Sequence, residues 1–449
     1  MKRALFMLPL AVALPFATQA QTLQEAMRSA LEVHPEIRAG VSARLAAEEE
    51  LRAAKGGYMP RVDLVGGYGR EGTDNPSGRA DGGHDYETLT RSEARLNVEQ
   101  MLFDGFATSS EVKRNRAVVN SRALELLGNS ERTALEVAQV YLDVLRRQAL
   151  VRLAEDNLRS HERIFDQINL RSQRGVGRMA DLDQAEARLA QAKNNLLTEQ
   201  ANLADARVNF ISVVGQAPEQ LDAPAPIVPE LPDSFELARD KMLADNPQLR
   251  SAEADINAAE AQMAAAKSAF YPRFALELST GANENIDGVP GHENEWQAMV
   301  RMRYNLFAGG SNKAELRARS HQANQALDIR NNALRLLTEE LGLAWNALSN
   351  ARQQLPIAQD YVDRSGRVRD SYQQQFTLGD RTLLDLLDSE NELFTAARRL
   401  EDVRFTEALT QYRIKAVTGS LLQSQGVVAP MAAVPMDQVQ ARVQLPAMN

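Results

Sequence analysis

Two carboxylates in the last quarter of the chain have a spacing that could do chemistry. Asp385 and Asp388 are three residues apart, and Arg381 precedes Asp385 by four. On a helix, this spacing puts the side chains on one face, where Arg381 can pair with Asp385. Crowded acids attract cations and raise one another's pKa. The alternative is a solvated helix face with an ordinary ion pair.

Catalytic chemistry is not supported by the residue types present. The chain has no cysteine, which excludes thiol catalysis, disulfides and cysteine-ligated metals, and none of its five histidines has a second within helical reach. The acidic run Glu48-Glu49-Glu50 has no accompanying nucleophile, and Gly175-Val176-Gly177 lacks the strand–turn–helix setting of a phosphate loop. We therefore expect no enzyme, no catalytic residue, no cofactor and no metal.

Composition limits the class of protein and its partners. The chain has 449 residues, of which 44% are hydrophobic, and a net charge of −9. That hydrophobic share can bury a large core, so wholesale disorder is not expected. The acidic balance argues against nucleic acid as a partner, because binding phosphates needs a basic surface.

The first twenty residues are typical of a secretory signal. Lys2 and Arg3 precede an apolar run over 4–16, and Thr18-Gln19-Ala20 is a suitable small-residue cleavage site. We predict a signal peptide at 1–20, with cleavage after Ala17 and an uncleaved membrane anchor as alternatives. No later segment reaches ~18 consecutive apolar residues, so no transmembrane helix is expected.

The chain repeats itself. His34-Pro35-Glu36-Ile37-Arg38 recurs 212 positions later as Asn246-Pro247-Gln248-Leu249-Arg250, and Leu102-Phe103-Asp104-Gly105 recurs 204 positions later as Leu306-Phe307-Ala308-Gly309. Self-similarity of this kind indicates a duplicated structural unit. We predict a first repeat over 21–215, a proline-rich linker over 216–232, a second repeat over 233–419 and a disordered tail over 420–449.

Each repeat shows the same order of elements. Long runs without proline, with apolar residues at helical spacing, predict helices, and alternation at period two predicts strands. The predicted helices cover 22–58 (broken near Pro35), 106–173, 179–214, 248–270, 310–374 and 382–416, and the predicted strands cover 62–70, 88–103, 273–281 and 294–307. Pro356 should kink or interrupt the helix that contains it.

The strands carry one apolar and one charged face. Their charged face includes Arg91, Glu93, Arg95, Glu99, Arg301 and Arg303. A half-buried soluble sheet would show the same alternation. In lipid, four strands would leave unpaired edges and fall short of the smallest membrane barrel. Several copies would then have to close the sheet, with eight strands from two copies or twelve from three.

The most specific motif runs from Phe376 to Asp388, with the sequence FTLGDRTLLDLLD. It is similar to the periplasmic-tip motif of the TolC family of outer-membrane channel proteins, and the whole organisation over 22–419 resembles that family. The continuation Ser389-Glu390-Asn391-Glu392-Leu393-Phe394 resembles the type I secretion branch, which includes exporters of large surface adhesins.

The resemblance implies a fold that is mainly α with a membrane β-barrel portion. The duplicated helix–hairpin–helix–helix would form an oligomeric β-barrel and a long α-helical barrel, as a homotrimer in outer-membrane lipid that extends into the periplasm. It implies an exit duct for protein, with a periplasmic adaptor (membrane fusion protein) and an inner-membrane ABC transporter as partners. Small-molecule or multidrug efflux is the alternative function, and a soluble periplasmic coiled-coil scaffold is the alternative class.

The resemblance also assigns residues, position by position. The periplasmic gate would consist of Asp385, Asp388 and Asp181, held shut by Arg381 and Phe376, although Ala180 replaces a polar residue often found before the first-copy acid. The adaptor-contact tips would be Gly175, Val176, Gly177, Leu378 and Gly379. The charged strand residues Arg91, Glu93, Arg95, Glu99, Arg301 and Arg303 would line the barrel lumen.

Overall fold

The computed structural model describes residues 21–74, 87–175, 177–225, 227 and 231–443. The predicted signal peptide therefore lies outside the described residues. Within them, long helices alternate with two strand pairs. The helices are α1 (Leu23–Val33), α2 (Pro35–Gly56), α3 (Ala107–Gln173), α4 (Met179–Val214), α5 (Phe235–Asp245), α6 (Pro247–Lys267), α7 (Ser311–Leu378), α8 (Leu383–Val417) and α9 (Leu421–Ser424). The strands are β1 (Arg61–Thr73), β2 (Glu87–Phe103), β3 (Arg273–Ile286) and β4 (Val289–Arg303).

The two repeats begin with the same local chemistry. Thr22 caps α1 in a capping box with Glu25, and the predicted break follows at Pro35, the first residue of α2. In the second repeat, the Asn246 side chain accepts from the Leu249 amide (3.0 Å) and Pro247 opens α6. Proline is favoured at a first helical position because its missing N–H has no helical partner there.

Helix α7 runs as one helix through Pro356, so of the two expected outcomes, a kink or an interruption, the interruption does not occur. Proline removes one backbone donor from the helix. Ala351 and Ala358, on either side, are both buried, and tertiary packing can override the low helix propensity of proline.

The four strands form one antiparallel sheet in the order β1-β2-β3-β4. The register aligns Leu64 with Leu96, Leu96 with Thr280, and Thr280 with Trp296. Because side chains alternate across a strand, this alignment places the apolar positions of all four strands on one face.

Several strand boundaries differ from the sequence expectation, most of all in β3 and β4. Strands β3 and β4 continue to a tight turn at Asp287 and Gly288, whose φ values are +54° and +74°, whereas the predicted strands end at 281 and resume at 294. Asp-Gly favours such a two-residue hairpin turn. Strand β4 ends at Arg303, short of the expected 307, because the Gly309-Gly310 turn soon follows, with φ of +63° and +85°.

The chain divides into two units, each with its own core. The first contains residues up to 37, 130–240 and 340–429, and the second contains 38–129, 241–339 and 430 onward. In the second unit, Leu51 packs with Val119 in one cluster, and Leu124 packs with Val439 in another.

The expectation of a disordered tail from 420 is wrong for 420–443. Leu421 and Leu422 are buried in the first unit, and their amides donate to the Glu131 carboxylate, at 2.9 Å for Leu421. Burying these side chains and amides outweighs the ordering entropy of the segment. Residues 444–449 lie outside the described part.

Polar anchors hold the tail in the second unit. The Asp437 carboxylate accepts from the Arg116 guanidinium (2.5 Å) and from Asn120 (2.9 Å). A buried backbone group needs a hydrogen-bond partner. Arg330 provides one here, because its guanidinium donates to the Arg442 carbonyl at 3.0 Å. The low-complexity composition of the tail concealed these partners, which come from distant helices.

None of the helices in the described part of the chain is both long and apolar enough to cross a membrane.

Candidate functional site

The charged strand residues predicted from alternation share one face of the sheet. Arg91 pairs with Glu71 and with Glu93, both at 2.8 Å. Arg95 pairs with Glu295 of β4. This face therefore combines both signs of charge. Opposite charges at neighbouring positions stabilise the pairing of strands.

Ion pairs of the same kind recur on this face near the other end of β3 and β4. Arg301 and Arg303 both pair with Glu277, at 2.6 and 2.8 Å, and Arg303 also lies 3.9 Å from Glu99. Both arginines were predicted on this face from the sequence, but Glu277 was not. The alternation of β3, read beyond its apolar positions, would have placed Glu277 on the same face.

The opposite face of the sheet is apolar and exposed in the single chain. Tyr68 and Trp296 are 84% and 81% exposed, and Leu64 is 76% exposed. An apolar patch of this kind marks a surface that meets lipid or protein.

The ends of the long helices form two glycine turns, which we call the tip. In the second repeat, the Asp380 amide donates to the Gln375 carbonyl and the Gly379 amide to the Phe376 carbonyl, with φ of +89° at Gly379. This is a Schellman motif, in which glycine supplies the left-handed conformation. Leu378, beside it, is 78% exposed.

The first-repeat turn has the same design. Gly175 has φ of +74°, and its amide donates to the Ser172 carbonyl at 2.9 Å. A Cβ at Gly177 would lie 2.9 Å from the Ser172 backbone nitrogen, so a side chain cannot fit there. Val176 lies outside the described residues.

Asp385 has a local structural role. It is the third residue of α8 and completes a capping box, where its carboxylate accepts from the Thr382 hydroxyl (2.8 Å) and amide (3.2 Å). These hydrogen bonds from Thr382, with a smaller effect of the Arg381 charge, lower the pKa of Asp385. In the single chain, the pKa of Asp385 therefore moves in the opposite direction to the rise expected for crowded acids. The hydrogen bonds that Thr382 donates at the start of α8 have the largest effect on it.

Arg381 is placed between three partners. Its Nη1 lies 4.0 Å from the Asp385 carboxylate, at the limit of an ion pair. Its Nε donates to Gln375 at 3.0 Å, and its guanidinium lies 4.4 Å from the centre of the Tyr372 ring. Arg381 therefore joins the end of α7 to the start of α8.

Asp388 has a partner that the sequence reasoning missed. Arg188 of α4 donates to its carboxylate at 3.0 Å. Asp181 lies half-buried in the first turn of α4, where the helix dipole favours a carboxylate. Because Arg188 and Asp388 are 200 residues apart, no local spacing could have revealed the pair.

Phe376 belongs to the core at the tip. It is 5% exposed and packs in a cluster with Ile168, Ala185 and Leu387, and the Arg171 guanidinium lies 4.9 Å from its ring centre. In one chain, its aromatic ring therefore stabilises the junction of the helix ends.

Among the described residues, no group of three or more His, Asp or Glu side chains could hold a metal ion. The candidate site is thus a two-faced sheet in one unit and an acidic tip in the other. Neither contains a constellation for bond-making chemistry.

Comparison with known proteins identifies the class. The outer membrane efflux protein family matches residues 26–216 and 238–420 of this chain. The chain belongs to this family, and it is accordingly a TolC-like channel protein of the outer membrane that extends into the periplasm, and not an enzyme.

Individual relatives are distant but cover most of the chain. The outer membrane efflux protein BepC of Brucella suis is 26% identical, over 86% of this chain and 82% of its own length. The alkaline protease secretion protein AprF of Pseudomonas aeruginosa is 24% identical, over 87% and 83%.

A solved structure shows the same fold. The open state of the MtrE outer membrane channel of Neisseria gonorrhoeae matches with a TM-score of 0.77, at 20% identity, over 89% of both chains. The fold predicted from the sequence, mainly α with a barrel portion built from duplicated helix–hairpin–helix–helix units, is confirmed.

Proposed function

We propose that three copies of this chain form a channel that serves as the exit duct of a type I secretion system. Each copy contributes two repeats, 21–215 and 233–419, joined by the linker 216–232, after removal of the signal peptide 1–20. Cargo protein, a large adhesin being one candidate, passes from an inner-membrane ABC transporter and its periplasmic adaptor through the duct.

The single observation that carries this proposal is the sheet with open edges. Among the described strands, β1 and β4 have one neighbour each, and one face presents exposed apolar residues such as Leu64 and Trp296. A lipid-facing sheet must close because lipid cannot satisfy free edge groups. Four strands are fewer than the eight of the smallest membrane barrels, so sister chains must complete the closure.

The charged face favours three copies over two. Eight strands enclose an interior that side chains fill, and here that interior would hold Arg91, Arg95, Arg301 and Arg303 of each copy. Twelve strands leave a lumen in which these ion-paired side chains meet water. A water-filled lumen is what a passive duct requires.

Helix α4 supports association of copies along the helical part. Leu197, Val208 and Ile211 are 65%, 65% and 44% exposed, and the exposed Ala201 and Ala204 continue their line. These residues follow one another at alternating steps of four and three positions, which is the spacing of a coiled-coil seam. Such a seam is buried only when a partner helix packs against it.

Helix α7 offers a second seam. Leu343 and Ile357, two heptads apart, are 57% and 70% exposed, and Tyr361 and Val368, one heptad apart, are 42% and 41% exposed. An apolar seam on α4 and another on α7 would let each copy contact two neighbours, as a closed ring requires.

The secretion branch rests on two supports. The segment Ser389–Phe394 resembles that branch, and AprF carries a protease secretion name. The tip turns, with Leu378 and Gly379 in one repeat and Gly175 and Gly177 in the other, are the surfaces that we assign to the adaptor. The acids Asp181, Asp385 and Asp388, with Arg381, would form the gate beside them.

Small-molecule efflux is the second candidate function. BepC, a relative of similar identity, carries an efflux name. The two functions share the channel and differ in the transporter that drives it.

Membrane fractionation and mass measurement test the channel. We expect the protein in outer membranes, and a detergent-extracted particle whose protein mass is three times that of one chain. A soluble monomer in the periplasm would contradict the proposal and favour the coiled-coil scaffold.

A deletion strain separates the two functions. We expect loss of one or more large proteins from the culture medium or cell surface, restored by the wild-type chain. The susceptibility of the same strain to toxic small molecules is the matched measurement. An unchanged set of exported proteins with raised susceptibility would favour efflux instead.

A further inference from the structure

The strongest unexplained feature outside the channel faces is the buried side chain of Gln21. This residue is 8% exposed, and its Oε1 and Nε2 atoms are buried with no hydrogen-bond partner among the described residues. A buried amide without partners is destabilising, because it loses its hydrogen bonds to water. An unmodified glutamine side chain is therefore poorly suited to this buried site.

The backbone of Gln21 is, in contrast, well satisfied. Its amide donates to the Gln220 carbonyl at 2.8 Å, and its carbonyl accepts from the Tyr141 hydroxyl at 2.7 Å and from the Asp222 amide at 3.3 Å. These contacts fasten the start of α1 to the linker and to α3 within one unit.

Residue 21 is also the position that signal cleavage would expose. The small-residue pattern Thr18-Gln19-Ala20 predicts cleavage after Ala20, which leaves Gln21 as the first residue. Its backbone nitrogen then becomes an α-amine, largely protonated near neutral pH. Burial disfavours that charge, and the single carbonyl of Gln220 cannot satisfy the several protons of an ammonium group.

We propose that the mature chain begins with pyroglutamate, formed from Gln21. The neutral α-amine attacks the side-chain amide carbon, a C–N bond forms, and the bond to Nε2 breaks as ammonia leaves. The step needs no oxidant, reductant or other co-reactant, and it closes a five-membered lactam. It depends on export and signal cleavage, and not on the channel function.

The lactam removes the unpaired NH2 group and the surplus amine protons, and of the two unpaired side-chain atoms it leaves only the carbonyl oxygen Oε1. The buried NH2 group leaves as ammonia, and the ammonium group becomes one neutral N–H. That N–H is the same donor that reaches the Gln220 carbonyl. The Gln21 carbonyl keeps its bond to Tyr141. Because the finished site is buried, the ring must close before the terminus docks.

Mass spectrometry of the full-length protein from outer membranes tests the proposal. We expect an intact mass lower by one ammonia than that of a chain starting at Gln21, measured before digestion so that cyclisation during handling is excluded. Fragmentation of the tryptic peptide 21–28 should place the loss at residue 21 and not at Gln24. A free α-amine at Gln21, or a chain starting at Thr18, would overturn it.

A matched variant separates cyclisation from other causes. Gln21→Asn keeps a carboxamide, but closure would require a strained four-membered ring. We expect this variant to retain the full mass of its uncyclised chain and a free terminus, removable by aminopeptidase, while the wild-type terminus resists the enzyme. Equal mass loss in both proteins would contradict the proposal. The intact mass of the wild-type protein tests the proposal by itself, so the test remains valid even if the variant folds poorly.

Discussion

Arg188 of α4 donates a hydrogen bond to Asp388 of α8 across 3.0 Å. This contact joins the two repeats at the acidic tip. It also means that one of the proposed gate acids is partly neutralised within its own chain. The electrostatics of the tip therefore depend on a cation that the local sequence pattern does not include.

The first prediction concerns this pair. Arg188→Gln should increase the cation preference of the channel, and Asp388→Asn should decrease it, because the two substitutions change the tip charge in opposite directions. Because salt screens charges at a solvated surface, each shift should be modest and should shrink as the salt concentration rises. Reversal potentials in planar bilayers measure it. Shifts of the same sign in both variants would show that the charge of the tip does not govern selectivity.

The second prediction separates the charge of Asp385 from its helix cap. Asp385→Asn keeps an oxygen that can accept from the Thr382 amide, whereas Asp385→Ala removes that acceptor and leaves only the Thr382 half of the capping box. Combined with Asp388→Asn, the Asn variant should lower single-channel cation preference without loosening the tip. Asp183→Ala, an exposed acid nearby, is the control and should change neither. Unaltered selectivity in the double variant would show that neither Asp385 nor Asp388 acts in the gate.

The third prediction concerns Phe376. Phe376→Ala should destabilise the tip by about 3–5 kcal/mol, because it leaves a cavity among buried side chains. We expect protease cleavage at the helix ends at lower enzyme concentration than in the wild type. Leu378→Ala, two residues away and 78% exposed, serves as the control. If both variants are cleaved alike, Phe376 has no core role.

The fourth prediction follows from Glu131. Burial raises the pKa of its carboxyl to about 7 from its usual 4.5, despite the amides of Leu421 and Leu422. A carboxyl with a raised pKa binds more protons in the folded state, so its contribution to stability is full below pH 4.5 and is lost as pH rises to about 7. The loss corresponds to about 3 kcal/mol.

Glu131→Gln should remove this dependence. A neutral amide can still accept from the Leu421 amide, so the variant should match the wild type near pH 4.5 and exceed its melting temperature near pH 8. Thermal unfolding in detergent across this range provides the measurement. A constant difference between the two proteins at every pH would contradict the assignment.

The fifth prediction tests how the tail is anchored in the second unit. Glu253 and Arg330 form a buried ion pair at 3.0 Å, and Glu253 also accepts from the Arg442 amide. Glu253→Gln should cost about 3–5 kcal/mol, because it leaves the Arg330 charge uncompensated. Glu260→Gln on the exposed side of the same helix should cost little. Equal melting temperatures for the two variants would refute the anchoring role.

Local patterns predicted most of the fold. The long proline-free runs matched α3 and α4 closely, and alternation at period two placed Arg95 and Arg301 on one face of the sheet. Such patterns report the preferences of neighbouring residues. They report nothing about a partner that lies far along the chain.

Glu277 and the turn at Asp287 and Gly288 were missed although local patterns indicate them, whereas the other features that escaped prediction depend on distant partners. The order of 420–443 comes from Glu131, Arg116 and Glu253, which precede it by nearly 200 residues or more. Likewise, Arg188 meets Asp388 only because α4 packs beside α8. Continuity of α7 through Pro356 also reflects tertiary packing, which overrides local propensity.

The central claim is that sister chains close the sheet round a water path, with the charged face inside. Gln297 and Ala298 are adjacent in β4, lie on opposite faces, and are both exposed in the single chain. The chain has no cysteine, so Gln297→Cys and Ala298→Cys give one thiol each. A charged, membrane-impermeant thiol reagent applied to channels in a planar bilayer should change the conductance of Gln297→Cys and leave Ala298→Cys unmodified. Modification of Ala298→Cys with no effect at Gln297→Cys would contradict the account.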